Sequence, residues 1–576
     1  MSLLHSFGVN KTDHLQRSKI DFDMRRRCEF RQGALIPLCH KLVIPNSTWA
    51  CNADANVRLL LTPYRPFMGD MYFTYGFYFV PLRILFKDYT KMFGNGEPAD
   101  WQNPTEWIMP TITFAAQGSR TQKSLAAGYD ACVPGGVSIG TDGKLISVPG
   151  NLTNYLGNPA TRTSGTKTGE LQLAPEAAYL SIWNYNWRDE NYQNSDPDVS
   201  KIFNFSGGSY GTRSTLCLSL HYANAFHDYF TSLLPNTQKG PSATAFSHLV
   251  CLPELYTMEY LPGDDPTDVV IKFGDYSKNE MSNVNLAVNS NKYAVGVSSS
   301  SISSTNAIGS TNLGVDITVE KLRMAFATQR ARERDARTGG GANRFVEAML
   351  GIYEAHLPNA VADEPEFLGG NTIQLNLTSV PATAKTEGAS TGSLGAFSFT
   401  RDNSGAFVKT FDEPGILMAV GCVRIKRVYS QGIERDRFKV RRFDFYDPCF
   451  AHINEQPVWA GQLLAANSAS LQDTIGFNEA WAEDIKPVDE VCGLMGDPEG
   501  PTDLHKWNLL HFHNAGTSPK PADYLPEKFD EVANACVDYN VNYPTWVFSV
   551  DFRANCKVTA PRPVYSKPGL IDHLIV

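Results

Sequence analysis

The sequence is short of positive charge and has no long apolar run. Its 51 Lys and Arg face 60 Asp and Glu, a formal net charge of −9, which argues against a chain that coats nucleic acid by itself. No apolar stretch approaches the roughly 18–20 residues of a membrane span. The opening MSLLHSFGVNKTDHLQRSKIDF has no uninterrupted apolar core and does not read as a signal peptide. Eleven cysteines, from Cys28 to Cys556, include no C-x-x-C pair. That points away from a disulfide framework and towards reduced thiols in a cytosol. Internal repeats and coiled-coil heptads are also missing.

Rings, glycines and prolines are plentiful. Aromatics make up 11% of the 576 residues, with 45 Gly and 34 Pro, a balance that favours short strands joined by many turns. The stretch MYFTYGFYFVP, residues 71–81, holds six aromatic rings before its proline. Side chains alternate across a strand, so Met71, Phe73, Tyr75, Phe77 and Phe79 form an all-apolar face. Tyr72, Thr74, Gly76, Tyr78 and Val80 form a mixed face suited to meeting another sheet, a ligand or another copy.

After Pro81, Leu82, Leu85, Tyr89 and Met92 fall at helical spacing, with Gly94 as a stop. Residues 95–178 read as a loop-rich insertion with short strands. Residues 241–316 read as a Ser/Asn-rich insertion, with SSSSISS at 298–304 and a small strand of its own. Residues 319–357 carry two helical stripes separated by RTGGGAN. Strands return in AFSFT, GILMAVGCVRIKRVYS, FDFYDPCF and PTWVFSVDFRANCKV. Prolines 561, 563 and 568 should keep the tail, 557–576, extended and outside any sheet interior. With strand signals at both ends, the expectation is one β-sandwich domain over 1–576 with enlarged connections.

No catalytic or metal site emerges. GASTG at 388–392 matches G-x-S-x-G, but its flanks are loop-like where a nucleophile elbow needs a strand and a helix, so Ser390 is a loop serine. His511 and His513 would share a strand face near His505, yet no further ligand sits at a convincing spacing. Asp264, Asp265 and Asp268 lack the calcium-loop pattern, and the glycines at 339–341 lack the lysine of a P-loop. No cofactor is expected.

Three basic clusters remain. Arg25, Arg26 and Arg27 come early, and Arg330, Arg332, Arg334 and Arg337 sit on or after a helix. The densest run, 424–442, has eight basic residues against two acids and includes Arg424, Lys426, Arg427, Lys439, Arg441 and Arg442. In an acidic protein such a patch can hold phosphates locally, in a salt-sensitive and sequence-blind way. The other reading is a set of surface or inter-subunit ion pairs.

HDYFTSLLPNTQKGP (227–241) resembles a motif of Microviridae major capsid proteins, above all the gokushovirus-like branch; it contains His227, Asp228, Tyr229, Phe230, Pro235, Gln238, Lys239 and Gly240. The resemblance continues in order through GALIP, VIPNSTW, the aromatic strand with VPLRILFKDYTKMFG, WNYNWRDENYQ, RERDARTGGG, EFLGG, FDFYDPCFAHINEQ, FNEAWAEDIKP and PGLIDH. It departs in the Asn-Thr of LLPNTQKG and in the serine-rich insertion.

The resemblance implies an eight-stranded antiparallel jelly roll with large inserted loops. Sixty copies would close a T=1 icosahedral shell around circular single-stranded DNA, assembled in a bacterial cytoplasm and found in the virion. Residues 241–316 are the candidate threefold protrusion. Implied partners are other copies, the packaged DNA, a small basic DNA-binding protein, pilot and scaffolding proteins, and a host receptor. On this reading Phe73, Tyr75, Phe77, Phe79, Tyr72 and Tyr78 are core or assembly residues. The arginines and lysines named above are candidates to face DNA. The rivals are a carbohydrate-active jelly roll, for which no carboxylate pair can be nominated, and a lectin-like decoration of the virion.

Overall fold

The computed structural model describes residues 17–60, 68–92, 107–115, 144–145, 147, 150–159, 168–205, 216–237, 257–262, 269–275, 280–285, 327–333, 364–381, 394–451, 453, 455–466, 470–497, 507–513, 516–524 and 548–562. The chain divides into two compact units. The first comprises Met1–Pro235, Gly341–Val346 and Ile352–Val576, the second Asn236–Gly340 and Glu347–Gly351.

In the first unit, β1 (Ser18–Phe30), β2 (Ile36–Val43), β3 (Ser47–Leu59) and β4 (Met71–Pro81) come before a small pair, β5 (Thr111–Ala115) and β6 (Thr168–Gln172). The second unit contains the three-stranded sheet β7 (Thr257–Pro262), β8 (Val269–Asp275) and β9 (Glu280–Asn285), and a helix at 327–333. The first unit resumes with β10 (Glu366–Gln374), β11 (Leu377–Pro381), β12 (Leu394–Asp402), β13 (Ala406–Phe411) and β14 (Gly415–Ile425). The pair β15 (Glu455–Trp459) and β16 (Thr474–Glu479) follows, and then β17 (Phe548–Ala560).

Two antiparallel sheets form the body. One runs β1-β17-β3-β12-β11, with β13 also on β3; the other runs β10-β4-β14-β2. The protein is thus mainly β, and among the described residues these two sheets hold ten strands.

The apolar face of β4 points between them. Met71, Phe73, Tyr75, Phe77 and Phe79 are all buried. Their rings meet the opposite sheet: Phe73 on Phe30, Tyr75 and Phe77 on Phe552, Phe77 on Phe407, and Phe79 on Phe411 at 4.4 Å. At about 1.5–3 kcal/mol per large apolar side chain, this layer dominates the stability of the body. Gly370 of β10 lets the neighbouring strand come close, since a Cβ there would lie 2.2 Å from the Tyr75 carbonyl oxygen.

The mixed face of β4 is covered from within the chain. Tyr72 packs edge-on against Phe226, Tyr78 against Phe367, and Gly76, Tyr78 and Val80 are buried. A helix, Ala174–Ile182, runs into a π-turn, Trp183–Trp187, and packs on β4 and β14. Tyr179 donates to the Leu35 carbonyl at 2.7 Å and accepts from the His221 N–H, and Trp183 donates to the Tyr222 carbonyl.

Several expectations are corrected. The helix after Pro81 is two short pieces, Leu82–Leu85 and Tyr89–Met92, because Phe86 turns extended and fully inward between them. FDFYDPCF is not a strand. Asp444 accepts the Val440 and Arg441 N–H groups and Asp447 accepts that of Cys449, folding the segment into 3-10 turns at Arg442–Asp444 and Pro448–Phe450. Cys51 and Cys556, directly opposite on β3 and β17, are joined by a disulfide where free thiols were expected. Residues 557–560, assigned to the tail, complete β17 between β1 and β3; the strand ends at Ala560, immediately before Pro561. Most of 241–316 and 319–357 lies outside the described residues.

Candidate assembly surface and nucleic-acid contacts

The motif His227–Pro235 builds a hub rather than a loop. Asp228 accepts the Phe230 and Thr231 N–H groups with one oxygen and the Tyr429 hydroxyl with the other, at 2.7 Å. The Asn478 amide donates to the Tyr229 carbonyl, Leu234 bridges to Phe477 of β16, and Tyr192 donates to the Leu233 carbonyl. Phe230 and Tyr429 pack ring to ring at 4.8 Å, and Leu233, Val458, Leu463 and Ala482 complete a small second core. The motif therefore fastens β15–β16 to the segment after β14. Gln238, Lys239 and Gly240 lie outside the described residues.

A cavity of about 320 Å³ opens over this hub. Tyr229, Arg435 and Gln462 form its buried floor, and Glu434, Asp436 and Glu490 lie on its exposed rim. Burial pushes the Tyr229 hydroxyl up to about 12, so it stays protonated. The Tyr229 hydroxyl donates to Gln462 Oε1 at 3.1 Å. This fixes the Gln462 amide: Nε2 is its free donor, buried and without a partner among the described residues, as is Ser430 Oγ beside it. An unmet buried donor costs about 1–3 kcal/mol. Gly432 permits the tight packing, since a Cβ there would lie 1.8 Å from the Gln462 carbonyl oxygen.

Next to the cavity the chain displays rings. Phe443, Phe445, Tyr446 and Ile485 are all more than half exposed. Phe443 packs edge-on against Phe450, and Tyr446 against Trp481, whose indole N–H donates to the Phe450 carbonyl. These contacts join Phe443, Phe450, Trp481 and Tyr446.

The candidate DNA-facing residues are divided among several settings. Arg25 and Arg27 lie on the outer face of the six-stranded sheet, both paired with Asp551. Arg26 points the other way and donates to the Tyr155 carbonyl, with its pKa lowered by burial. Arg424 is half-buried, bonded to Thr74 and Asn224 and lying over the Phe226 ring. Lys426 pairs with Asp489, Arg427 is buried, and Lys439 pairs with Asp436 and Glu483. Arg441 and Arg442 stand exposed, Arg442 over the Phe443 ring. Of the second basic cluster, Arg330 and Arg332 lie on the 327–333 helix, and Arg334 and Arg337 fall outside the described residues. His511 and His513 are neighbouring rings 5.1 Å apart; burial lowers both pKa values, that of His511 to about 3. Ser390, His505, Asp264, Asp265, Asp268 and the 339–341 glycines lie outside the described residues.

A family model described as the capsid protein (F protein) of phages matches residues 9–139 and 151–570. The chain belongs to this family. It is a structural protein of bacteriophages, a major capsid protein of the Microviridae. It is similar to capsid protein VP1 of Spiroplasma virus 4, 28% identical over 589 residues that cover 98% of each chain. Capsid protein VP1 of Chlamydia phage 1 is 27% identical over 626 residues, covering 98% of this chain and 97% of the relative. Capsid protein VP1 of Bdellovibrio phage phiMH2K is 26% identical over 526 residues, covering 88% and 87%. A capsid protein is a component of the virion and associates with its own copies, so exposed apolar surface here has a use.

Gln462, Ser430, Arg435 and Trp481 carry no motif that singles them out in the sequence. Nothing local distinguishes them: Gln462 meets Tyr229 from more than 200 residues away, and Trp481 meets Phe450 and Tyr446 across a turn. The ridge segment carried one signal against a central strand, the proline of RFDFYDP.

Proposed function

We propose that this capsid protein closes, as sixty copies, into a T=1 icosahedral shell around a circular single-stranded DNA genome. On this reading eight of the body's strands form the jelly roll, and the enlarged connections make the contacts that close about symmetry axes. The observation that supports it most is the match along nearly the whole chain, over a body of two facing antiparallel sheets. Residues 241–316 are proposed as the threefold protrusion, and exposed loops as the host-attachment surface. Assembly is proposed to occur in the bacterial cytoplasm with scaffolding and pilot proteins of the same virus.

A shell of chains with net charge −9 cannot neutralise the genome evenly. A small basic protein is therefore proposed inside, with local contacts from Arg441 and Arg442, whose guanidinium groups are exposed. Electron microscopy of purified particles should show a thin shell of sixty subunits with nuclease-protected DNA. A different subunit number, or nuclease-sensitive DNA, overturns the reading. Arg441→Gln with Arg442→Gln should lower the DNA retained per particle; unchanged genome content removes those two residues from the contact.

A further inference from the structure

Strand β1 lies at the edge of its sheet. It pairs with β17 without a register break from Ser18 to Phe30, and among the described residues no strand pairs with its other edge. Neither a proline nor a bulge blunts that edge. Its odd-numbered side chains, Lys19, Asp21, Asp23, Arg25, Arg27 and Glu29, are exposed on the outer face. The even ones, among them Phe22, Met24 and Cys28, are half-buried against the core.

Read in order, the outer charges are plus, minus, minus, plus, plus, minus. Reversed, the series becomes its own opposite. An antiparallel copy of β1 centred on Met24 therefore sets Lys19 against Glu29, Asp21 against Arg27 and Asp23 against Arg25, each pair twice. The backbone suits this register, because odd residues meet odd ones and the outward N–H and C=O groups of an edge strand belong to alternate residues. A slip of two residues ruins it. One direction opposes Lys19 to Arg27 and Asp23 to itself; the other opposes Asp21 to Glu29 and Arg25 to itself.

Pairing within the chain does not use up this array. Asp23 pairs with Arg553, while Arg25 and Arg27 share the single Asp551. Lys19 and Glu29 lie opposite Thr559 and Ser549 on β17, which offer no charge. A nucleic acid is a poor occupant, since three carboxylates interrupt the row and repel phosphate. An edge that only guards against aggregation needs charges that repel a second copy. These attract one.

We propose that β1 pairs antiparallel with β1 of a second copy about a two-fold axis through Met24, extending the six-stranded sheet across the contact. The Glu29 carbonyl already accepts the Tyr155 hydroxyl at 2.6 Å, so the added ladder stops short of it and Lys19 meets Glu29 through side chains. The contact concerns one pair of chains and stands whatever number of copies closes the shell.

Lys19 and Glu29 are separated along one extended strand by about 33 Å, at roughly 3.3 Å per residue, so they cannot meet within a chain. Purified particles treated with a carbodiimide should yield a Lys19–Glu29 amide link in peptide mapping by mass spectrometry. Lys19→Glu and Glu29→Lys should each raise the concentration needed for assembly about tenfold, and the double swap, which restores opposite charges, should return it to within about twofold of wild type. The link is read on the unmodified chain, so it decides the question even where a swapped chain fails to fold. Absence of the link overturns the proposal, as does a double swap no better than the two single swaps combined. A link from Lys11 to Asp21 or Asp23 in its place also overturns it, by assigning the edge to the chain's own residues 1–16. Lys19→Glu particles that assemble at the wild-type threshold but retain less DNA overturn it too, by assigning the strand to the genome.

Discussion

The aromatic sandwich and the hub around Tyr229 are built on opposite principles. In the sandwich, Phe30, Phe73, Phe77, Phe79, Phe411 and Phe552 fill the space between two sheets with almost no polar atoms. The hub has a small apolar core but is located by directional bonds: Asp228 to Tyr429, Asn478 to Tyr229, and Arg435 to Glu483. The sandwich can absorb a change of pH because apolar burial carries no titrating group. The hub defines positions more sharply and loses them more easily, since each buried polar group depends on its partner. The body is thus held by burial, and the hub by partnered polar groups.

The largest way to break the comparison is in the sandwich. Phe77 is fully buried between Phe407 and Phe552. Phe77→Asp should abolish soluble folding, and Phe77→Ala should cost about 3–5 kcal/mol in a denaturant titration. Particles at wild-type yield from the Asp variant would refute the core placement.

Glu176 is an exception to the sandwich's indifference to pH. It is buried on the helix that covers β4, and burial raises its carboxyl to about 7. The folded state holds a proton that the unfolded chain releases at the ordinary carboxylate value. Stability is therefore greatest below that value, falls as pH rises towards 7, and levels off above it. Glu176→Gln should flatten this dependence and gain about 3 kcal/mol at pH 8. Parallel pH profiles for the two proteins would show that Glu176 does not titrate there.

A smaller effect is expected at the hub. Asp228→Ala removes the acceptor for two backbone N–H groups and the Tyr429 hydroxyl, a loss of about 1–3 kcal/mol. Hydrogen exchange should quicken over 429–436 and leave β4 and β14 protected. Equal quickening in both places would show that the hub and the sandwich open as one unit.

Elements whose partners repeat at short range were legible in advance. The alternation of 71–79 matches the buried face of β4, and the strand expected in PTWVFSVDFRANCKV contains β17, where Phe548, Val550 and Phe552 are buried. Turn chemistry was harder to read. The rings of FDFYDPCF suggested a strand, while Asp444 and Asp447, each capping backbone a few residues away, made 3-10 turns. The basic run 424–442 looked like one patch, but its residues separate into buried, ion-paired and exposed groups, because a linear run says nothing about which carboxylate lies across the fold.

The sequence by itself determined that this chain is rich in short, ring-filled strands, and through its ordered motifs that it is a microvirus capsid protein. Period-2 burial and motif order are properties of the chain as written. Only the tertiary structure decided that β1 pairs with β17, that Cys51 meets Cys556, and that the Gln462 amide has no acceptor among the described residues. Each of these depends on residues hundreds of positions apart. Their encounter is set by how whole sheets stack, and no local propensity records it.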